Sequence, residues 1–516
     1  ENSPDLTTND KQKQISSGGP ITKDNTSVEY YCTVFTAAES ALEKDLLWTG
    51  SDDGLVYVSR DGGAQWENVT PKDCPKGMMW NCIETGTFKK GVAYIAGTRY
   101  KSDDFAPYIY RTEDYGKTWT LIVNGINRMH FTRAIRADHV REGLLYAGTE
   151  YGMYCSYDNG ASWTSLQLNL PVVPITDLAI RDNDLIIATQ GRSIWVLDEL
   201  NLLQQLKTNQ PAGRLKVFSP EPTWRISGGG RGFVPGTNRT AGANPPNGLV
   251  LPFWVDKLAD TTKSAVTIFD RNGKKIRTWT SDAKEAADKL ELNNGFNRFN
   301  WNLQYPPADR IEGMVLWNGV PGGVVAPPGN YTYTLRSGAD SVTGSFIVKA
   351  DPNYKISQAD YEAQFDFLLS VRDKFNEVQQ AIKDIRMLRS QMTEFLSRQP
   401  KDSVKAIQVQ ADSIAKKLTT IEETLYQTKA KSSQDVLNFP IRINDKLAGV
   451  YGTANSGITA PSRQAKEVFA ELAKQADAEL AKLKKIKEED IANLNKLIRE
   501  QQLPVIGVPA KKEDNK

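Results

Sequence analysis

Two pairs of adjacent acids have the residue types and spacing to do chemistry: Asp52–Asp53 and Asp103–Asp104. Each pair falls between stretches that are typical of β-strands, so we expect both pairs in loops that can face a common cleft. Glycoside hydrolysis usually needs two carboxyl groups flanking one bond. The four residues are therefore candidate cleft acids, although acids in such loops more often cap turns or face solvent. No residue is assigned as catalytic.

Histidine and cysteine content narrows the chemistry further. Only two histidines occur, so a histidine-based triad or a multi-histidine metal centre is not expected. The cysteines lack the paired close spacing of a zinc site, and we predict neither a metal nor a cofactor. Cys74 and Cys82 can bridge a loop in an oxidising compartment, and free thiols are an equally good interpretation. The residues concerned are His130, His139, Cys32, Cys74, Cys82 and Cys155.

A third group of acids belongs to a repeated pattern, Ser/Thr-x-Asp-x-Gly-x-x-Trp. Its Asp can accept hydrogen bonds from turn N–H groups, its Gly tolerates positive φ, and its Trp covers the turn with an apolar face. The pattern is therefore predicted to be a structural hairpin corner, not a catalytic site. The three copies place these residues at Asp61, Gly63 and Trp66, at Asp114, Gly116 and Trp119, and at Asp158, Gly160 and Trp163.

A pair of short strand-like runs precedes each corner, and a fourth pair without a corner covers 185–197. Alternating aliphatic and aromatic residues bounded by glycine are typical of short antiparallel strands. Repeats with about the length of a four-stranded unit predict a β-propeller. Because a propeller typically has about four to eight blades, four partial repeats barely reach the lower limit.

The first residues suggest where further blades lie. The opening Glu1–Pro4 resembles 67–71, which directly follows the Trp of the first corner. The chain also starts without Met and has no signal-peptide hydrophobic region. We therefore expect a C-terminal portion of a longer polypeptide, with the N-terminal half of the same precursor as a partner.

Composition excludes several classes of partner. The chain has 516 residues, enough for several domains, with 64 Lys and Arg against 62 Asp and Glu. This balance gives no global field for binding nucleic acid. No apolar stretch reaches the length of about 18 residues that a transmembrane helix needs.

The middle of the chain has a different pattern. After a glycine- and proline-rich loop at 228–246, several short alternating strands and an Asn-Gly turn at 272–273 predict a β-sandwich. The segments 266–273, 295–302 and 327–332 resemble the Ig-like domain of the flagellar hook-capping protein. That resemblance implies an Ig-like module that packs, spaces or presents other parts.

The period changes from 2 to about 3.6 after Ser357, a plausible N-cap. Helices are predicted from 357, from 403 to about 427, and after Ser462, with an apolar stripe that includes Val468. The resulting fold class is multidomain, mainly β and then α: a partial β-propeller with Asp-box blades, an Ig-like β-sandwich and a C-terminal helical bundle. The predicted domains are blades at 1–205, the sandwich at 213–350, the bundle at 355–503 and a disordered tail at 504–516.

Several motifs together resemble the C-terminal half of large bacterial Asp-box (BNR) repeat proteins, described as sortilin-like or glycosyl-hydrolase-like. The motifs are 3–10, 18–25, 48–54, 170–178 and 188–195. The resemblance covers nearly the whole chain and implies a large exported propeller with upstream blades. It does not imply a reaction, because function is set by sites and not by folds.

Two functions remain open. The first is an exported, sortilin-like binding or assembly protein whose propeller recognises a polypeptide, glycan or other cell-envelope component. The alternative is a glycoside hydrolase acting on oligosaccharides in the propeller cleft, where Trp80, Tyr100 and Tyr151 can stack on sugar faces. Asp-Ser/Thr-aliphatic tripeptides such as 340–342, 402–404 and 412–414 resemble a bacterial O-glycosylation motif of exported proteins. With the family resemblance they favour a periplasmic or cell-surface location.

Overall fold

A computed structural model describes residues 4–15, 30–206, 213–226, 245–256 and 262–504. The chain divides into two compact units, Glu1–Phe218 and Ser219–Lys516. The motif at 18–25, most of the glycine-rich loop at 228–246 and nearly all of the predicted tail at 504–516 lie outside the described residues.

The first unit consists of successive antiparallel meanders in which each strand pairs with the next one along the chain. Strands β1–β4, β5–β8 and β9–β12 form four-stranded sheets, and β13–β15 form a three-stranded sheet. The strands are Val34–Glu39 (β1), Leu47–Ser51 (β2), Val56–Ser59 (β3), Glu67–Asn68 (β4), Met79–Thr85 (β5), Ala93–Arg99 (β6), Asp104–Thr112 (β7), Thr120–Leu121 (β8), Thr132–Ala137 (β9), Leu145–Thr149 (β10), Gly152–Ser156 (β11), Thr164–Ser165 (β12), Ile175–Arg181 (β13), Asp184–Thr189 (β14) and Ile194–Leu197 (β15).

Alternate side chains of each strand face opposite neighbours, because successive Cβ atoms point to opposite sides of a strand. In β6, Tyr94 packs toward the third sheet, whereas Ile95 packs toward the first. The third and fourth sheets share a core of the same kind around Tyr146 and Ile187. Successive sheets that pack face to face against their neighbours make a partial β-propeller. Each sheet is called a blade from here on.

The first unit ends with the short helix α1 (Asn201–Gln205) and strand β16 (Leu215–Val217). A 3₁₀ turn at Tyr100–Ser102 connects β6 to β7.

The second unit begins with strands in two layers. β18 pairs with β21, and a second sheet has the order β17-β23-β22-β19-β20. The layers pack through Trp301, whose ring lies 5.9 Å from that of Tyr331 and 6.1 Å from that of Phe346. The strands are Thr223–Arg225 (β17), Leu249–Val255 (β18), Ser264–Phe269 (β19), Lys275–Thr280 (β20), Gly295–Trp301 (β21), Gly329–Ser337 (β22) and Asp340–Ala350 (β23).

The predicted Asn-Gly turn joins β19 to β20. Gly273 has φ +74°, and the Asp270 carboxylate accepts hydrogen bonds from the N–H groups of Asn272 and Lys274. This confirms the hairpin.

The remainder of the second unit is helical. The predicted N-cap at Ser357 is confirmed, because its hydroxyl accepts from Asp360 N, and Ser462 accepts from Ala465 N in the same way at the start of a later helix. A π-helical turn, Ile486–Asp490, joins the last two helices. The helices are Gln358–Ser397 (α2), Lys405–Leu425 (α3), Ile443–Ala454 (α4), Arg463–Lys485 (α5) and Ile491–Glu500 (α6), with 3₁₀ turns at Ala286–Asp288, Lys401–Val404 and Ser433–Leu437.

The helices and the segment after β21 share one core. Ala308 and Val324 belong to the same buried cluster as Phe375 and Ile414. The buried Asp445 of α4 accepts hydrogen bonds from backbone N–H groups of that segment. The sandwich and bundle therefore lie within one compact unit, and the domain limits near 205–213 and 350–355 stay predictions.

The prediction that Val468 belongs to the buried apolar stripe of its helix is wrong. Val468 is 50% exposed, whereas Leu472 and Leu483 of the same helix are buried. Val468 lines a surface groove that α4 and α5 border, and no helix of the described residues covers it. Among the described residues, no helix is long and apolar enough to cross a membrane.

Candidate functional site

The Asp-box carboxylates are occupied in holding their corners. Asp158 accepts from Ser156 Oγ at 2.8 Å and from Ser162 N at 2.9 Å, while Gly160 N donates to Ser156 Oγ at 2.8 Å. Asp114 has the same set of contacts with Thr112 and Thr118. These acids therefore act within the turns.

The first corner is built in the same way. Asp61 accepts from Ser59 Oγ and Gln65 N. The hydrogen bond from Gln65 N, followed by that from Ser59, lowers the pKa of Asp61.

The positions of the corners distinguish the two ends of the propeller. Each lies beside the connection between the first two strands of its blade: Gly62 N donates to Asp45 O, and Asn159 N donates to Gly143 O. We call this end the box face. In an antiparallel meander the connections from second to third strand, and from one blade to the next, lie at the opposite end. We call that end the loop face.

The candidate acids Asp52 and Asp53 lie on the loop face in the β2–β3 connection. Asp53 accepts from Ser51 Oγ at 2.5 Å and from both Thr8 N and Thr8 Oγ1, at 2.7 and 2.6 Å. Desolvation raises the pKa of Asp53, but these hydrogen bonds outweigh it and the pKa is lowered overall. Asp53 thus attaches the segment around Thr8 to the first blade.

Asp52 has a different environment. It accepts from Thr33 N at 2.8 Å, and desolvation raises its pKa. Since this carboxylate binds the backbone just before β1, it also positions a segment of chain.

Of the second pair, Asp103 lies in the β6–β7 connection and Asp104 is the first residue of β7. Asp104 contacts Arg99 and accepts from Tyr108 Oη at 2.8 Å. Asp103 is exposed, in the left-handed conformation with φ 59°, and ends the 3₁₀ turn. The two pairs thus differ from a free carboxylate dyad, because three of the four carboxylates hold local structure.

A charged cluster on the inner strands was missed by the sequence analysis. Arg136 of β9 approaches Glu84 of β5 at 3.8 Å and Asp177 of β13 at 2.9 Å. It also lies 2.8 Å from Cys82 Sγ. Burial raises the pKa of Glu84 to about 7, and Arg136 opposes part of that rise. The first strands of three blades therefore place two unlike acids around one guanidinium.

A cluster of rings covers the loop face between the second and third blades. Tyr100 stacks on Phe131 with ring centroids 5.3 Å apart, and the Arg133 guanidinium lies over both rings. His130 stacks on Tyr151 at 4.8 Å. We call Tyr100, Phe131, Arg133, His130 and Tyr151 the aromatic platform.

Two polar contacts hold the platform in place. Arg133 Nε donates to Glu150 at 2.7 Å, and His130 Nδ1 lies 2.9 Å from Tyr154 Oη. Desolvation lowers the pKa of His130, which favours a neutral ring. Tyr151 is 47% exposed at the outer edge. Phe131 is buried at 4% exposure, and Tyr100, His130 and Arg133 are half-buried. The platform thus presents Tyr151 and the partly exposed parts of Tyr100, His130 and Arg133 to solvent.

Sequence reasoning had identified Tyr100 and Tyr151 as stacking candidates, and the structure brings both to the loop face. Trp80, the third candidate, is fully buried against Tyr110, so it is a core residue and the stacking prediction for it is wrong. Phe131 and Arg133 were missed. Phe131 directly precedes β9 and Arg133 is the second residue of that strand, and no local sequence signal marks either of them.

The described residues contain no group of three or more His, Cys, Asp and Glu able to hold a metal ion. His139, the second histidine, lies in the connection between β9 and β10 and not on the platform. All four cysteines are free, with Cys82 and Cys155 buried.

No family model and no curated protein matches the chain. Among solved structures, YCF48 from Cyanidioschyzon merolae is 17% identical with a TM-score of 0.25, over 32% of this chain and 53% of that one. The GH74 xyloglucanase from Xanthomonas campestris is 13% identical with a TM-score of 0.26, over 60% and 45%. The extracellular domain of BT3049 from B. thetaiotaomicron is 13% identical with a TM-score of 0.25, over 65% and 40%.

These neighbours are β-propeller proteins. The chain spans only about half of their length or less. At such TM-scores the propeller assignment rests on the chain's own blades.

Proposed function

We propose that the propeller is a recognition module that binds an extended polypeptide of the cell envelope on its loop face. The observation that carries this proposal is the aromatic platform. The exposed Tyr151, with the half-buried Tyr100 and His130, supplies aromatic contact area at low entropic cost, as in binding hot spots, while the buried Phe131 supports the ring stack from below. Three of the four candidate acids on the loop face hold local structure through hydrogen bonds, which favours recognition over hydrolysis.

The remaining modules fit this role in the proposal. An Ig-like sandwich and a helical bundle would space or dock the propeller, as the family resemblance implies. The proposal includes export to the periplasm or cell surface. The serines of the three Asp-Ser motifs, Ser341, Ser403 and Ser413, are exposed, as modification would require.

A peptide-display selection tests recognition. Peptides selected on the whole chain should lose binding about tenfold or more in Tyr151→Ala, since an aromatic hot spot contributes roughly 1–3 kcal/mol. Phe88→Ala is the matched control, because Phe88 is 42% exposed in the β5–β6 connection on the box face. Equal losses in both variants, or selected peptides that bind each variant as well as the parent, would refute the proposal.

Glycoside hydrolysis is a second candidate because of the cluster on the inner strands. A protonated Glu84 can act as a general acid, and Asp177, whose side chain is 65% exposed, supplies the second carboxyl group. An oligosaccharide screen tests this. Turnover that disappears in Glu84→Gln and persists in Asp52→Asn would favour the hydrolase; no turnover on any glycan would remove it.

A further inference from the structure

The tryptophans of the second and third corners donate hydrogen bonds to the backbone of the preceding blade. Trp119 Nε1 donates to Val69 O at 2.6 Å, and Trp163 Nε1 donates to Ile122 O at 2.7 Å. Val69 and Ile122 are equivalent, because each directly follows the fourth strand of its blade. The hydrogen bond therefore ties one corner to the end of the previous sheet.

The box glycine completes the same contact. A Cβ on Gly116 would lie 2.7 Å from Val69, and one on Gly160 would lie 2.5 Å from Ile122. Only glycine allows the two blades to approach so closely. Glycine, tryptophan and the aliphatic residue after the fourth strand thus form one repeated inter-blade joint.

The first corner has half of this joint. Trp66 is only partly buried, and its Nε1 donates back to Gly63 O at 3.0 Å within its own corner. A Cβ on Gly63 would meet Trp66 itself at 3.6 Å, with no aliphatic residue of another blade as near. Among the described residues, no blade precedes this corner.

The first strands show the same open face. In each blade the first strand pairs with the second and has a bulge near its start. The first-strand residues just past the bulge are equivalent. These residues, with their second-strand partners, are Ile83 with Ile95, Ile135 with Ala147, Leu178 with Ile187, and Ala37 with Thr49. Ile83, Ile135 and Leu178 are buried by the preceding blade, whereas Ala37 is exposed. Phe35, two residues away on β1, is 54% exposed.

The fourth blade is open on its other side. Ile194 of β15 occupies the position of Val56, Ile109 and Met153, which are all buried by a following blade. Ile194 is 66% exposed and Val196 is 52% exposed. The described residues thus leave an inter-blade face uncovered at each end of the array.

We propose that the open face of the first blade docks a further Asp-box blade that these 516 residues do not contain. That blade would end its fourth strand with an aliphatic residue whose carbonyl accepts from Trp66 Nε1. A second copy of this chain is disfavoured as occupant, because β13–β15 has no fourth strand within the described part of the chain to supply that carbonyl. This docking is independent of binding on the loop face.

Site-specific photocrosslinking in cells that make the native protein tests the proposal. Benzoylphenylalanine replaces Ala37, with Phe88→benzoylphenylalanine on the box face as control, and the adducts are sequenced by mass spectrometry. The proposal expects position 37, and not position 88, to capture a peptide from an Asp-box blade absent from this chain. Adducts with a second copy near Ile194, adducts with a protein lacking Asp boxes, or no adduct above the control would overturn it.

Trp66→Phe tests the joint itself. In the Trp66→Phe variant, the yield of adducts from benzoylphenylalanine at position 37 should fall about threefold to tenfold, because one buried hydrogen bond contributes roughly 0.5–1.5 kcal/mol. The isolated Trp66→Phe chain should melt like the parent, which separates lost docking from misfolding. An unchanged yield would refute the role of Trp66.

Discussion

Trp163→Phe should destabilise the third blade by about 2–3 kcal/mol. Trp163 is 3% exposed and donates to Ile122 O at 2.7 Å. Phenylalanine leaves that carbonyl without its donor, which costs about 1 kcal/mol. It also removes about two carbon-sized groups from the core, at roughly 0.8 kcal/mol each.

Native-state hydrogen exchange measures this change, because it reports on the blade separately from the helices of the second unit. Protection of peptides covering β10 and β11 should fall roughly 30- to 150-fold, since about 1.4 kcal/mol corresponds to a factor of ten.

Trp66→Phe is the matched control, because Trp66 bonds only within its own corner and is half-buried. Its effect should be below about threefold. A Trp163→Phe effect as small as that of the control would refute the idea that the tryptophan stabilises the joint between blades.

The other predictions concern a buried acid in each unit. The raised pKa of Glu84, about 7, means that the fold prefers the protonated acid, so stability is greatest below the unfolded pKa near 4.5 and falls as pH rises through about 7. Glu84→Gln should flatten this loss in thermal melts of the first unit; a parallel fall in the variant would contradict it. Asp445→Ala should destabilise the second unit by about 3 kcal/mol. It leaves the backbone N–H groups of Trp317 and Asn318, which donate to the Asp445 carboxylate at 2.8 and 2.9 Å, without an acceptor. Urea unfolding, followed by the circular dichroism of the helices, measures the loss of stability. Asp445→Asn should lose less than Asp445→Ala, because the amide keeps one oxygen acceptor. Equal losses in the two variants would indicate that these accepted hydrogen bonds do not stabilise the unit.

Local chemistry made much of the fold predictable. The Asp boxes, the Asn-Gly turn and the N-cap at Ser357 depend on residues within a few positions of each other, so the sequence indicates them directly. Helix α4 was not predicted individually. It is short, it contains Gly449 and Gly452, and its Asp445 is buried by partners about 127 residues away.

The candidate site was less predictable than the fold. Tyr100 and Tyr151 were found because loop aromatics are visible in the sequence. The ring stack with Phe131 and the Arg136 cluster join residues of different blades, and no local sequence pattern indicates which residues of different blades come into contact. Asp53 illustrates the same limit: its partner Thr8 lies 45 residues away.

The sequence by itself determined the corners, the strand repeats and the change from β to α, because these follow from hydrogen bonding and side-chain period over short stretches. Only the tertiary structure decided which side chains meet across blades and which blade faces are covered. Burial depends on what packs from elsewhere in the chain: equivalent positions such as Ile135 and Ala37 have the same local geometry, yet one is buried and the other exposed.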